Sequence, residues 1–200
     1  MSSLSLLRIE NLKVYFPGEG AVNKVINGLS LEIEESQILA LVGGSGAGKT
    51  LTGLSILRLL PTGAKIIEGR IIFKNQDLLQ IGEDQMRAIR GKDMGMVFQE
   101  PLSALNPLFT IGYQIEEVLK FHTSMRKAER KKRVLDLLET VGIPDPRRIV
   151  LDYPYQLSGG MRQRVMIAQA IAANPKLIIA DEPTSNLDVT LQAQIMELFR

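Results

Sequence analysis

Two hundred residues suffice for one domain, or one domain with an inserted lobe, and for a sizeable buried core. Hydrophobic residues at 45% and charged ones at 23% exclude a wholly disordered, collagen-like or coiled-coil chain; 24 Lys and Arg against 22 Asp and Glu, a net charge of +2, give no global argument for nucleic acid. With no cysteine and a single histidine, His122, these residues cannot form disulfides, zinc–thiolate sites, iron–sulfur clusters or a multi-histidine metal site.

Met1-Ser2-Ser3-Leu4 lacks the basic-then-apolar layout of a signal peptide, and no run approaches the roughly 18 apolar residues of a spanning helix. The chain is therefore expected in the cytoplasm, with any membrane association made through a partner. Leu12, Val14 and Phe16 alternate on one face of an expected strand, which Gly18, Glu19 and Gly20 break. Leu29, Leu31 and Ile33 alternate again. After Glu35-Ser36 the apolar run Ile38 to Val42 reads as a buried parallel strand. The glycine-rich loop Gly43-Gly44-Ser45-Gly46-Ala47-Gly48 follows. A helix is expected over Lys49 to Leu60, with Leu54, Leu57 and Leu60 in step and Pro61 as its stop. Ile71-Ile72-Phe73 and Met94 to Phe98 read as further strands.

From Pro101 to about Tyr155 the pattern is helical. Val134, Leu137, Leu138 and Val141 recur on one face, and Gly142 with Pro144 ends that helix. The basic run Arg126, Lys127 and Arg130 to Arg133 reads as its solvated face, with contact to lipid head groups as the alternative. Another helix is expected from about Met161 to Ala173, then the strand Leu177 to Ala180. Asp188 reads as the N-cap of a last helix carrying Leu191, Ile195 and Leu198. The chain stops inside that pattern at Phe199-Arg200, without a Gly, Asn or Pro stop signal, which leads us to expect a domain cut short.

Gly43-x-x-x-x-Gly48-Lys49-Thr50 has the spacing of a phosphate-binding loop between a strand and a helix. Glycines let backbone N–H groups turn inward around phosphate oxygens, where side chains would block the approach. Gly43, Gly44, Ser45, Gly46, Ala47 and Gly48 would form that cradle. Lys49 would reach the β- and γ-phosphates, and Thr50 would offer its hydroxyl to Mg²⁺. The pattern points to a nucleoside triphosphate and leaves open what its energy drives.

Leu177-Ile178-Ile179-Ala180-Asp181-Glu182 is an apolar strand ending in two acids. In a doubly wound sheet ligands collect at the carboxyl ends of strands, so Asp181 is expected beside the loop after Val42 and able to hold Mg²⁺ through water. Glu182 is expected to polarise an attacking water. Gln99, after the strand Met94 to Phe98, offers an amide that could touch both metal and water. Leu157-Ser158-Gly159-Gly160-Met161-Arg162-Gln163-Arg164 has the character of a second anion site: small residues, open backbone N–H groups and a helix start. One triphosphate does not need two such sites in one chain. The simplest solution is that Ser158 and Gly160 contact a nucleotide held by another subunit.

Taken together, GGSGAGKT, LSGGMRQR and LIIADEPTSNLD closely resemble the ATP-binding cassette (ABC) family, in order and spacing over essentially the whole chain. The resemblance implies an α/β fold: a P-loop NTPase (RecA-like) parallel-sheet core over about residues 1–100 and 156–200, with an antiparallel β subdomain and an inserted α-helical subdomain over about 101–155, truncated at the C-terminus. It implies ATP with Mg²⁺ as ligands, the metal held by Thr50, Gln99 and Asp181, and two cassettes paired head to tail. Gly43 to Thr50 match its Walker A loop, Gln99 its Q-loop, Leu157 to Gln163 its signature, Asp181 its Walker B aspartate and Glu182 its catalytic glutamate. Ser185-Asn186-Leu187-Asp188 matches its D-loop, which usually has Ala where Asn186 stands. Phe16 falls where an aromatic commonly stacks on adenine, with Tyr15 as the neighbouring alternative.

Phe98-Gln99-Glu100-Pro101-Leu102-Ser103-Ala104-Leu105-Asn106-Pro107 is similar to the peptide/nickel importer branch. That likeness implies an ATPase subunit working with a second, identical or homologous ATPase, two transmembrane permease subunits and, indirectly, a solute-binding protein. The location would be peripheral, at the cytoplasmic face of the inner membrane. The family's histidine beyond the D-loop lies past residue 200, and His122, which precedes the signature, cannot replace it. A nucleotide-binding module with little turnover is thus a second reading. A nucleic-acid-handling ABC ATPase is disfavoured, because about a hundred residues between Thr50 and Ser158 leave no room for a coiled-coil arm, and the charge is balanced.

Overall fold

The computed structural model describes residues 5–18, 22–184 and 189–198. The chain forms two compact units, Met1–Arg87 and Ala88–Arg200.

The first unit is built on β1 (Ser5–Pro17), β2 (Val22–Glu34), α1 (Lys49–Ile56), β3 (Lys65–Phe73) and β4 (Gln76–Asp77), with α2 (Glu83–Ile89) starting at its end. The strands form an antiparallel sheet in the order β2-β1-β3-β4. β1 is the central strand. Its fully buried residues are Leu7 and Ile9, then Leu12 and Val14, so the alternation slips by one residue between the pairs. A bulge absorbs the slip: Asn11 takes a left-handed φ of 48°, and the register against β3 shifts between Glu10 and Lys13. Gly69 faces the bulge at φ 112°. A Cβ there would stand 2.6 Å from the Leu12 Cα, so only glycine fits.

In the second unit β5 (Met94–Val97) and β6 (Leu177–Ala180) pair in parallel, Met94 opposite Leu177 and Val97 opposite Ala180. Between them run α3 (Pro101–Ala104), α4 (Ile111–His122), α5 (Lys127–Thr140), α6 (Pro146–Ile149), a short 3₁₀ turn (Pro154–Gln156) and α7 (Gly159–Ile171); α8 (Val189–Leu198) follows β6. One apolar cluster joins α4 (Ile115, Leu119), α5 (Leu137, Leu138) and α7 (Val165, Ile167, Ala168). Thr110 caps α4 by accepting from the Tyr113 N–H, and Ser158 caps α7 by accepting from the Met161 N–H, both at 3.3 Å. α5 ends as its sequence foretold, at Gly142 with φ 70°. The buried guanidinium of Arg164, from α7, donates to the carbonyls of Val141 (3.0 Å) and Gly142, placing a cation on the negative end of α5.

Two expectations are corrected. Ile38 to Val42 is not a strand and is not buried: Ile38 is 59% and Val42 94% exposed. A strand buried on both faces needs ladder partners for its backbone, and no strand among the described residues pairs with this run. The helix expected over Lys49 to Leu60 ends at Ile56, with Leu51, Thr52, Gly53, Ser55 and Ile56 buried; of the three leucines expected in step, Leu57 is buried just past the helix end, whereas Leu54 and Leu60 are half-buried. Arg58 stops it by taking φ 53°, so that the Leu59 N–H reaches the Leu54 carbonyl (2.9 Å) and the Arg58 N–H that of Ser55 (3.0 Å), a Schellman turn with arginine where glycine is usual. The Arg58 guanidinium offsets the backbone cost by donating to the carbonyls of Leu78 (3.1 Å) and Ile81 (2.8 Å). The breaker residues Glu19 and Gly20, the D-loop Ser185 to Asp188 and the Asp188 cap lie outside the described residues.

Candidate nucleotide site

The phosphate loop belongs to the first unit. Gly43 to Ala47 are exposed, and Gly46 and Gly48 hold φ 76° and 88°, values that turn the loop into the start of α1. A Cβ at Gly44 or Gly46 would meet nothing within 4 Å, so the loop encloses open space rather than packed side chains. At Gly48 a Cβ would press on Ile26 at 3.1 Å, and this glycine sets the loop against β2. Lys49 folds back across the loop and donates to the carbonyls of Gly43 and Gly44, 2.8 Å each. Its ammonium is held by backbone oxygens, the same class of acceptor that phosphate offers. Thr50, next on α1, is exposed. A cradle of unobstructed backbone, a cation poised on oxygen ligands and a helix start fit a polyphosphate.

Phe16 and Tyr15 occupy opposite faces of β1. The Tyr15 hydroxyl donates to Asn27 Oδ1 at 2.7 Å, and the Lys24 ammonium sits 5.6 Å from its ring centre. Phe16 is half-buried, 3.8 Å from where a Gly63 Cβ would stand.

Gln99, Ser158, Gly160, Asp181 and Glu182 belong to the second unit. The parallel pairing of β5 and β6 brings their carboxyl ends side by side, and the Asp181 N–H continues the ladder onto the Val97 carbonyl at 2.9 Å. Beyond it Gln99 Nε2 donates to Glu182 Oε2 at 2.7 Å, so the glutamine and the second acid, far apart in sequence, meet. Glu182 has φ 47°, a conformation that costs a non-glycine residue about 1–3 kcal/mol and re-aims its carboxylate after the strand. Asp181 is half-buried, whereas Gln99 and Glu182 are exposed. The amide of Gln99 and the carboxylate of Asp181 in this unit, and the hydroxyl of Thr50 in the first, are hard oxygen donors of the kind Mg²⁺ takes. Among the described residues no group of three or more His, Asp or Glu forms a metal cluster of its own. Ser158 and Gly159 are exposed at the start of α7, and a Cβ at Gly159 would meet nothing within 4 Å.

The bonds of three polar side chains were not foreseen in the sequence. Gln114 is buried on α4; it donates to the carbonyls of Asn106 (3.0 Å) and Phe109 (2.9 Å) and accepts from the Asn106 N–H (2.9 Å), fixing the turn that follows the Gln99 segment. Its signal was a polar residue set among Ile111, Ile115 and Leu119. Gln163 donates to the Pro183 carbonyl at 2.8 Å, and Gln192 to that of Thr184 at 3.1 Å. Neither pairing has a local signal. His122 closes α4 and packs against Gly91, where a Cβ would lie 2.6 Å from its Nε2; burial first, and then the Lys92 charge, lower its pKa from 6.5.

A glycine cradle running into a helix, together with a parallel strand that ends in acids, defines a P-loop nucleotide-binding protein of the α/β class. The ABC transporter family model matches residues 26–185. The chain is 48% identical to the dipeptide transport ATP-binding protein DppD of Bacillus subtilis (strain 168), over 98% of this chain and 58% of the relative. It is 45% identical to the dipeptide transport ATP-binding protein DppD of Escherichia coli (strain K12), over 98% of this chain and 60% of that one. The chain thus spans somewhat over half the length of these curated relatives. The solved dimeric structure of the ATP-binding cassette MJ0796 bound to ADP and Pi has a TM-score of 0.87 and 32% identity, covering 96% of this chain and 80% of that one. CbiO1 of Clostridium perfringens, part of a cbiONQ transporter complex, gives 0.75 and 26% over 97% and 72%. This chain belongs to the ABC transporter family, with the P-loop NTPase fold of its ATP-binding cassettes. No helix among the described residues is long and apolar enough to cross a membrane.

Proposed function

We propose that the chain is the ATP-binding and ATP-hydrolysing subunit that energises an importer of di- or oligopeptides, or of nickel chelates. The observation that carries this reading is the 2.7 Å contact between Gln99 and Glu182 at the carboxyl ends of two paired strands. It sets an amide and a general base where a water could be gripped between them. The relatives' names, dipeptide transport ATP-binding proteins, support the solute class.

In this reading Gly43, Gly44, Ser45, Gly46, Ala47 and Gly48 wrap the phosphates with backbone N–H groups, and Lys49 exchanges its carbonyl partners for phosphate oxygens. Thr50, Gln99 and Asp181 would hold Mg²⁺, which when bound neutralises charge on the phosphates. Glu182 takes the proton of the attacking water while Gln99 orients it. Phe16 packs on the adenine. Ser158 and Gly160 meet the nucleotide of a second cassette, homologous or identical, and close it from the far side. Residues 101–155 form the helical lobe; the core lies on either side of them. The assembly would include two transmembrane permease subunits and, through them, a solute-binding protein. The chain would then sit peripherally at the cytoplasmic face of the membrane. No nucleic acid enters this scheme.

The test is ATP turnover and peptide uptake in vesicles carrying the assembled transporter. Glu182→Gln is expected to lower turnover by about 10²–10⁴-fold while ATP still binds. Turnover that survives the loss of both Lys49 and Glu182 would overturn the reading.

A further inference from the structure

Gln163 is completely buried on α7, and among the described residues only one end of its amide is satisfied. Nε2 donates to the Pro183 carbonyl at 2.8 Å, whereas Oε1 is buried with no hydrogen-bond partner among the described residues. A bare amide oxygen in the core loses its water and gains nothing in return. Methionine or leucine would fill the same space without that cost. The amide is therefore a poor choice as packing, and among the described residues what it gains is the bond to residue 183.

That bond lands at a sensitive place. Proline has no N–H, so its carbonyl is the only backbone polar group Pro183 has. Glu182, immediately before it, stands in a left-handed conformation that its surroundings must enforce. The carboxylate of Glu182 is tied from the other side by Gln99. The carbonyl after Pro183, that of Thr184, is held by Gln192 of α8. Ser158, at the head of the same α7 helix, lies less than two turns from Gln163.

We infer that Gln163 is a positioning residue: by gripping the Pro183 carbonyl, it makes the aim of Glu182 depend on the placement of the signature helix. α7 is one rigid body from Ser158 to Gln163. A shift of its first turn on meeting a second cassette is carried to the backbone of the general base through one buried hydrogen bond. The inference rests on the proposed function for its catalytic meaning, but not for the bond itself.

The experiment replaces Gln163 with Met and, separately, with Leu, in the full chain assembled with its partner subunits. Steady-state ATP hydrolysis, thermal melting and amide hydrogen exchange at Glu182 and Thr184 are measured for each. The expected result is a kcat lower by about 10–10²-fold with the KM for ATP unchanged, the scale of a misplaced catalytic group. Melting temperatures stay level or rise, and exchange at Glu182 and Thr184 quickens while that of the α5 amides does not. A merely structural role predicts the reverse, with melting lowered and exchange faster throughout the second unit. That outcome, or wild-type kcat and wild-type exchange at Glu182 and Thr184, overturns the inference. If the unsubstituted assembly hydrolyses no ATP but the local exchange still responds, the proposed function falls and the positioning bond stands.

Discussion

The phosphate loop of the first unit and the acid cluster of the second are organised differently. Gly43 to Ala47 are exposed, the preceding run Ile38 to Val42 has no ladder partner among the described residues, and Lys49 is restrained by its own loop. Around Glu182, by contrast, every neighbour is tied to another element: Asp181 to β5, the Glu182 carboxylate to Gln99, Pro183 to α7 and Thr184 to α8. The same unit holds an apolar cluster that joins α4, α5 and α7. In the proposed function the groups that accept a mobile ligand are held by local bonds. In that same function the groups that act on one atom are held by tertiary ones, since small misplacements there would be costly in rate.

Removing the Lys49 ammonium tests this contrast most strongly. Lys49→Ala is expected to weaken ATP binding, measured by calorimetry, by about 10²–10³-fold. Because the loop packs against little, melting should not move; a large loss of stability would show the loop to be part of the fold. Leu138→Ala should do the opposite. Leu138 is fully buried in the apolar cluster of the second unit, and its truncation is expected to cost about 2–5 kcal/mol in a denaturant titration. Glu182→Gly should abolish turnover yet stabilise the second unit by about 1 kcal/mol, since glycine adopts φ 47° without strain. Equal or lower stability would mean the turn is not strained. The smallest effect is expected at His122. Its folded pKa lies below 6.5, so the native state binds protons less readily than the unfolded chain. That contribution is complete above pH 6.5 and is lost as pH falls below it. His122→Gln should therefore flatten the drop in melting temperature between about pH 8 and about pH 5.

The same contrast governs what could be read from the residues alone. Lys49, Gln99, Ser158, Asp181 and Glu182 were legible because each sits at fixed spacing in a short segment whose chemistry is local. β1, β2, β3, β5, β6 and α7 were legible from periodicity, as was the end of α5 at Gly142, whereas β4 and α2 gave no signal that was read. Ile38 to Val42 misled because an apolar run records the wish to be buried, while a strand is made by its neighbours' backbones. The early end of α1 misled because Arg58 adopts a glycine-like conformation sustained by carbonyls of Leu78 and Ile81, twenty residues or more away in sequence. The bonds of Gln114, Gln163 and Arg164 are tertiary and left no pattern beyond a polar residue on an otherwise apolar face.

The clasp of Lys49 on the carbonyls of Gly43 and Gly44 has a consequence for what the loop can recognise. The ammonium has two carbonyl partners within its own loop, so a newcomer must outbid neutral carbonyls. Anionic oxygens do so with ease; sugar hydroxyls and bases do not. The loop is thereby guarded against nucleosides: adenosine should compete poorly with ADP or ATP for it.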